Sequence, residues 1–271
     1  MKYKAICSDI DGTLLNSLRD LSPRLIESVS AFPTDFPIIL ASSRMPEAMR
    51  HLVRDLGKHP QPLVAYNGGY VLSSAGAILE DSSIPLALVS KILDLAKNTE
   101  IHISLYQGEN WYEEKDDYWS QREIRNTKVE CTWMRGIDVL NLWSRGNSGA
   151  HKVMCMGDSN ELNWLFGELH LEHSADLHLY RSSPTYLEIA PKSISKATGL
   201  KKILENEYNF GMDAVIAFGD NYNDMDLLQQ VGWGVAVENA KPEVKAVANE
   251  ITATNKEDGV AIVLEKLTRK P

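Results

Sequence analysis

Ala5-Ile6-Cys7-Ser8-Asp9-Ile10-Asp11-Gly12-Thr13-Leu14-Leu15 is the stretch on which the reading of this chain turns. Residues 3–8 combine apolar and β-compatible side chains over a length that suits one buried strand. Two carboxylates follow, two positions apart, directly before a glycine. Residues i and i+2 of extended chain point the same way, so Asp9 and Asp11 address one spot beyond the strand's carboxyl end, where open α/β sheets bind ligands. Two like charges so close repel. A hard cation such as Mg²⁺ removes the repulsion, because it takes oxygen ligands from one or two carboxylates and from substrate phosphate. A calcium loop would need Asp or Asn at its fifth position and Glu at its twelfth; Thr13 and Asp20 stand there and exclude it. The other ordinary reading, a strand ending in an Asx turn, is told apart from a cation site only by partners elsewhere in the chain.

At about 150 residues per domain, 271 residues give one or two domains with room for a substantial core. Apolar residues at 44% and charged residues at 24% are ordinary for a globular chain and exclude disorder. Against 28 basic residues stand 37 acidic ones, a net charge of -9 that argues against nucleic acid as partner. An acidic chain binds phosphate esters only through a metal or a few placed cations. Cys7, Cys131 and Cys155 are widely spaced and odd in number, and they read as reduced, mostly buried thiols. No C-x-x-C or H-E-x-x-H spacing marks a zinc site, and His170 and His173 read as part of a solvated helix face. No run approaches 18 apolar residues, and the first strand begins without a basic-then-apolar leader. The expectation is a soluble, cytoplasmic protein without a membrane partner; oligomeric state is not set by these features.

Taken in order, the first 81 residues alternate strand and helix. A loop over 12–20 leads to a helix begun by Ser22-Pro23, and Phe36–Ala41 forms a second strand ending at Ser42-Ser43-Arg44. Pro46-Glu47 begins another helix, and a third strand at Leu63–Tyr66 ends at Asn67-Gly68-Gly69; Tyr70–Ser73 and Ala77–Glu80 make a hairpin. This alternation predicts a parallel, Rossmann-like sheet with right-handed crossovers. Near residue 82 the pattern changes. A helix at Pro85–Lys97 is followed by strands at Ile101–Tyr106, Trp111–Lys115 and Lys152–Met156 and by a strand pair at Asp176–Tyr180 and Thr185–Ile189. Helices fall at Asp116–Thr127 and Asn160–Leu171, while Ile137–Trp143 is open. Adjacent strand pairs indicate an inserted α+β module. From Ser193 the first pattern resumes, with Lys196–Asn209 helical, Asp213–Phe218 a strand running into Gly219-Asp220, Asp224–Val231 helical, and Gly234–Val237 a strand. The fold class is therefore α/β, with one domain formed by 1–81 and 191–271 and a second by 82–190.

If the sheet is wound so, Ser42 and Asp220 follow neighbouring strands on the same carboxyl-end rim, and Lys196 begins the helix before the Asp220 strand. Gly219-Asp220-Asn221-Tyr222-Asn223-Asp224 turns the chain into a helix and supplies two carboxylates four apart, with Asn223 beside the second. Singly, these are a small residue after a strand, a surface lysine and an N-capping turn. In this order, each at a strand end or helix start, they make a constellation.

That constellation resembles the haloacid dehalogenase superfamily, and within it the Cof-like sugar phosphatases. Asp9-Ile10-Asp11-Gly12-Thr13-Leu14-Leu15 matches the family's first motif, Ser42 its second, Lys196 its third, and Gly219-Asp220 through Asn223-Asp224 its fourth. The likeness spans the whole chain, since the family inserts its α/β cap between the second and third motifs. The family usually has Thr-Gly-Arg where this chain has Ser42-Ser43-Arg44, so the resemblance fixes neither that loop's shape nor a role for Arg44.

The resemblance implies a Mg²⁺-dependent phosphatase of small phosphorylated metabolites, with Asp9 as nucleophile and Asp11 as acid and base. Mg²⁺ would be held by Asp9, the Asp11 backbone carbonyl and Asp220; Ser42, Lys196 and Asn223 would hold phosphate oxygens, with Asp224 orienting the lysine or a metal-bound water. The cap would enclose the substrate, and Trp111, Tyr112, Trp143, Arg145 and Tyr180 are candidates to read its sugar, although strand aromatics also serve as packing. Asn67 lines the same rim or simply makes its turn. A phosphomutase of similar fold differs in passing the phosphoryl group to a sugar instead of water; a non-catalytic phosphosugar sensor would be expected to have lost a nucleophile or metal ligand.

Overall fold

β1 (Ala5–Ser8) is buried along its whole length, as a strand covered on both faces must be. It stands in a computed structural model that describes residues 2–58, 60–146 and 148–268. The chain continues through α1 (Pro23–Ser30), β2 (Ile38–Ala41), α2 (Glu47–Asp55), β3 (Leu63–Ala65), β4 (Tyr70–Leu72) and β5 (Ile78–Asp81). Ser22 caps α1 by accepting from Leu25 N at 3.0 Å, with Pro23 in the first turn where no amide hydrogen is needed.

Next come α3 (Leu86–Ala96), β6 (His102–Gln107), β7 (Asn110–Glu113), α4 (Tyr118–Thr127), β8 (Thr132–Trp133), α5 (Gly136–Arg145), β9 (Lys152–Met156), α6 (Ser159–His173), β10 (Leu177–Ser183) and β11 (Tyr186–Pro191). The chain closes with α7 (Lys196–Glu207), β12 (Val215–Gly219), α8 (Met225–Gln230), β13 (Trp233–Val237), α9 (Pro242–Val247), β14 (Glu250–Thr252) and α10 (Gly259–Thr268). Two units result, Met1–Glu80 with Ser195–Pro271, and Asp81–Ile194.

In the first unit the strand order is β14-β13-β12-β1-β2-β3-β4-β5. From β14 to β3 every pairing is parallel, and β4 turns antiparallel against β3. The chain winds outward from β1 in both directions, so β1 is the switch point, and the crevice beyond its carboxyl end is where such sheets bind ligands.

The second unit orders its strands β10-β11-β9-β6-β7-β8, antiparallel throughout except for β7 with β8. Alternate residues such as Val153 and Cys155 of β9 join Val89 and Ile92 of α3, Val139 and Trp143 of α5, and Leu162 and Leu165 of α6 in one core. β8 has no counterpart in the sequence reading, since two residues cannot show a period. α5, left open there, begins at Gly136, whose amide donates to Glu114 Oε2 at 3.0 Å, and buries Val139, Leu140 and Trp143 on one stripe. Three of the aromatics offered as candidates to read a sugar are buried, in line with the packing alternative. Trp111 stacks on Tyr106 at 5.6 Å and donates to Glu113, while Tyr112 and Trp143 meet edge to face at 5.8 Å within the core. Arg145 is exposed, and Tyr180 stacks on His178. Among the described residues no helix is long and apolar enough to cross a membrane.

Candidate active site

Asp9 is the first residue past β1, and its amide donates to Phe218 O of β12 at 3.0 Å, extending the parallel ladder by one rung. Asp220 is the first residue past β12, so the two carboxylates stand at the carboxyl ends of neighbouring strands. Gly12, at φ 86°, lets the loop after Asp11 pass directly against Asp220: a Cβ there would lie 2.5 Å from Asp220 Oδ2. Thr13 Oγ1 then donates to Asp220 Oδ1 at 3.0 Å.

Lys196 arrives from the far side of the chain. Ser195 caps α7 through a reciprocal pair with Thr198, and Lys196 is its first helical residue. A Cβ on Gly199 would lie 2.5 Å from Val64 Cγ1 and 3.1 Å from Gly68 Cα; the missing side chain lets α7 sit directly on β3 and the turn that follows it. Lys196 thereby reaches full burial, with Nζ hydrogen-bonded to Asp9 Oδ1 and, at 2.7 Å, to Asp224 Oδ1. Asp224 is spent on holding this arrangement: its Oδ2 accepts from the amides of Asp220 and Asn221 at 2.9 and 3.0 Å, closing the turn into α8.

One ammonium thus faces three carboxylates. Oxygens of Asp9, Asp220 and Asp224 lie within 4.8 Å of one another, and Asp9 Oδ2 is buried with no hydrogen-bond partner among the described residues. Burial, with the charges of Asp224 and Asp220 beside it, pushes the Asp9 carboxyl well above the usual carboxylate range against the pull of Lys196. Burial and Asp224 push Asp220 up to about 6. Lys196 moves the other way: burial favours its neutral form, but Asp224 and Asp9 outweigh it and hold the ammonium charged. An unsatisfied buried oxygen among hard carboxylate donors with surplus negative charge fits a divalent cation.

Asp11, named with these residues from the sequence, directs its carboxylate elsewhere. Arg44 Nε donates to Oδ2 at 2.7 Å and Nη2 to Oδ1 at 2.8 Å, a bidentate pair, and Arg19 Nη2 adds a third bond to Oδ1 at 2.7 Å. Burial would raise this carboxyl, but the hydrogen bonds and charge of Arg44, with Arg19, hold it below the usual range. Its side chain is therefore not part of the acidic group, where Asp224 stands as third carboxylate.

Ser42 follows β2, and its Oγ accepts from Arg44 N at 3.2 Å. Asn223 Nδ2 donates to Asn67 Oδ1 at 2.9 Å, so the turn after β3 meets the turn after β12. Asn67 sits at φ 56°, a left-handed conformation that asparagine tolerates better than most residues. Ser43 keeps an ordinary negative φ, so the loop does not require the glycine that the sequence comparison led one to expect. Thr13, Arg19 and Arg44 were not assigned from the sequence. Their only signal was proximity to Asp11 or Ser42, and a nearby arginine or threonine is uninformative until the loops close.

A family model described as haloacid dehalogenase-like hydrolase matches residues 6–264. The 5-amino-6-(5-phospho-D-ribitylamino)uracil phosphatase of Bacillus subtilis is 26% identical over 96% of this chain and 96% of its own. The pyridoxal phosphate phosphatase of Escherichia coli is 27% identical over 96% of this chain and 97% of its own. Among solved structures, a haloacid dehalogenase-like hydrolase from Bacteroides thetaiotaomicron superposes with a TM-score of 0.87 at 30% identity, covering 98% of this chain and 99% of that one.

Proposed function

The chain belongs to the haloacid dehalogenase-like hydrolases of Cof type, and on that premise we propose that it is a Mg²⁺-dependent phosphatase of small phosphomonoesters, sugar phosphates foremost. The observation that carries the reading is the state of Asp9, with one oxygen tied to a buried lysine and the other buried beside Asp220 without a partner among the described residues. A carboxylate so placed is a nucleophile held in position and short of one electrophile.

Asp9 attacks phosphorus, the ester P–O bond breaks, and Asp11, protonated for this half at Oδ2, which among the described residues accepts only from Arg44 Nε, gives the departing oxygen its proton; the ionised Asp11 described above is the form left after that transfer. Water then attacks the aspartyl phosphate, Asp11 takes the water's proton, and the bond between Asp9 and phosphorus breaks. Lys196 holds Asp9 in place and favours its ionised form for the attack, and with Ser42 and Asn223 it offers hydrogen bonds to phosphate oxygens. Asp224 positions the lysine. Mg²⁺ would be held by Asp9, the Asp11 carbonyl and Asp220, and when bound it neutralises charge on the cluster and on the phosphate. The core formed by 1–81 and 191–271 carries this chemistry, and the insertion at 82–190 carries discrimination among alcohols. The two relatives are named for a phosphorylated ribityl compound and for pyridoxal phosphate, which supports small, polar phosphomonoesters as the class.

Phosphate release from a panel of sugar and vitamin phosphates, with and without Mg²⁺, tests the reading. Turnover that needs Mg²⁺ is expected, and Asp9→Asn should lower kcat by at least about 10³-fold without unfolding the protein. Near-normal turnover by that variant would refute the covalent route.

A further inference from the structure

We propose that Arg44 is the positioning residue of the acid–base step: it sets where the Asp11 carboxylate stands for proton exchange, and it is not a phosphate ligand. The inference rests on Asp11 being the acid and base, as proposed above.

The Arg44 side chain is buried and all three of its nitrogens are engaged. Nε and Nη2 form the fork on Asp11, and Nη1 donates to Ala48 O, in the first turn of α2, at 3.2 Å. Its backbone is pinned as well, the amide by Ser42 Oγ at 3.2 Å and the carbonyl by Tyr66 N at 3.1 Å. A fork-to-fork pair fixes the plane of a carboxylate as well as its place, which a point charge cannot do. To take a phosphate oxygen with that fork, Arg44 would have to release Asp11 while anchored to a helix backbone.

Arg19 contrasts with it. Its side chain is 47% exposed, it comes from the 12–20 loop at φ 62°, and it meets Asp11 through one nitrogen. Arg44 is the fixed member of the clamp and Arg19 the accessory one. No bond to Arg44 forms or breaks in either half of the reaction; its contribution is the geometry from which Asp11 gives and takes its proton, and a displacement of about 1 Å there lowers rate by about 100-fold.

The test compares two esters: p-nitrophenyl phosphate, whose leaving group departs without a proton, and the sugar phosphate that the wild type turns over fastest in the panel above. Asp11→Asn should lower kcat on the sugar phosphate about 100-fold or more relative to p-nitrophenyl phosphate. Arg44→Ala should show the same selectivity at about 10-fold or more, with KM for both esters within about threefold of wild type. Arg44→Lys should not restore it, because an ammonium cannot form the fork. Should the alanine variant fail to fold, Arg44→Gln serves in the same comparison. If KM rises on both esters while kcat holds, Arg44 binds phosphate and the proposal falls; equal losses on both esters make it merely structural. If Asp11→Asn is selective and Arg44→Ala is not, this inference alone fails. A non-selective Asp11→Asn removes the acid–base reading and this inference with it.

Discussion

Each of the two units buries a cluster of charge, and the two clusters differ in whether they are complete. In the unit spanning Asp81–Ile194, the imidazole of His102 faces Asp117 Oδ2 through Nδ1 at 2.9 Å and Glu113 Oε2 through Nε2 at 2.7 Å. A neutral ring can donate from only one nitrogen, so two carboxylates favour the imidazolium. Glu113 Oε1 also accepts from Ser104 Oγ at 2.5 Å and Trp111 Nε1 at 3.0 Å, and Asp117 Oδ1 caps α4. Every oxygen there has a partner. Around Lys196 the same ingredients leave Asp9 Oδ2 unpaired among the described residues and Asp220 held at about 6. A buried network that satisfies itself stabilises and specifies its fold, whereas one that leaves an acceptor and negative charge over has the donor chemistry that suits a cation.

The contrast can be broken from the incomplete side first. Asp220→Asn should lower kcat by about 100-fold or more at low Mg²⁺, with part of the loss recovered at high Mg²⁺. Its thermal midpoint should hold or rise, because a buried surplus charge is gone. A Mg²⁺ titration of phosphate release identical to wild type would separate the surplus charge from metal binding.

On the complete side, His102→Leu should destabilise the protein by about 3 kcal/mol, since it leaves Glu113 buried without its cation. Urea unfolding monitored by tryptophan fluorescence measures this, five of the six tryptophans lying between residues 81 and 194.

The pH dependence of the same network is smaller and has a definite sign. Burial favours the neutral ring, but Glu113 and Asp117 outweigh it and raise His102 above its usual 6.5. Its contribution is therefore complete below that value and lost as pH rises through the higher folded-state one. Glu113, raised chiefly by burial, loses stability in the same direction. Asp117 is raised by burial but lowered on balance by His102 and the α4 amides, so its contribution is complete above the usual 3.8 and lost as pH falls through the lower value. Amide exchange across β6, β7 and the start of α4 should accelerate from pH 6 to pH 9 more in the wild type than in His102→Leu. Equal acceleration, after correction for intrinsic exchange, would dissociate His102 from the effect.

The smallest effect belongs to a pair that is neither buried nor incomplete. Arg24 pairs with Glu265 at 2.6 and 2.9 Å on the surface, and Arg24→Ala should move the melting temperature by no more than about 3 °C, less at high salt. A larger shift would show that exposure does not separate these classes of ion pair.

Much of the site was legible because the chain announces it locally. Asp9, Asp11 and Gly12 follow a buried strand, Lys196 follows a capping serine, and Asp220 through Asp224 form a turn between strand and helix. Side-chain direction was not legible. Asp9 and Asp11 share a face of extended chain, yet the chain stops being extended after β1, and the Asp11 carboxylate goes to arginines instead of the acidic group. Trp111, Tyr112 and Trp143 look like ligand-reading aromatics in a list of residues and are interior packing in the fold.

By itself the sequence determined the alternation of strand and helix, the interruption near residue 82, and which residues stand at strand ends. Those follow from periodicity, capping and turn chemistry, which act between neighbours in the chain. Only the tertiary structure decided that Lys196 would lie against Asp9 from 187 positions away, that Arg44 would take Asp11, and that one oxygen of Asp9 would be left without a partner among the described residues. Hydrogen-bond satisfaction and burial depend on which surfaces the winding of the sheet brings together, and no local pattern in the chain encodes that.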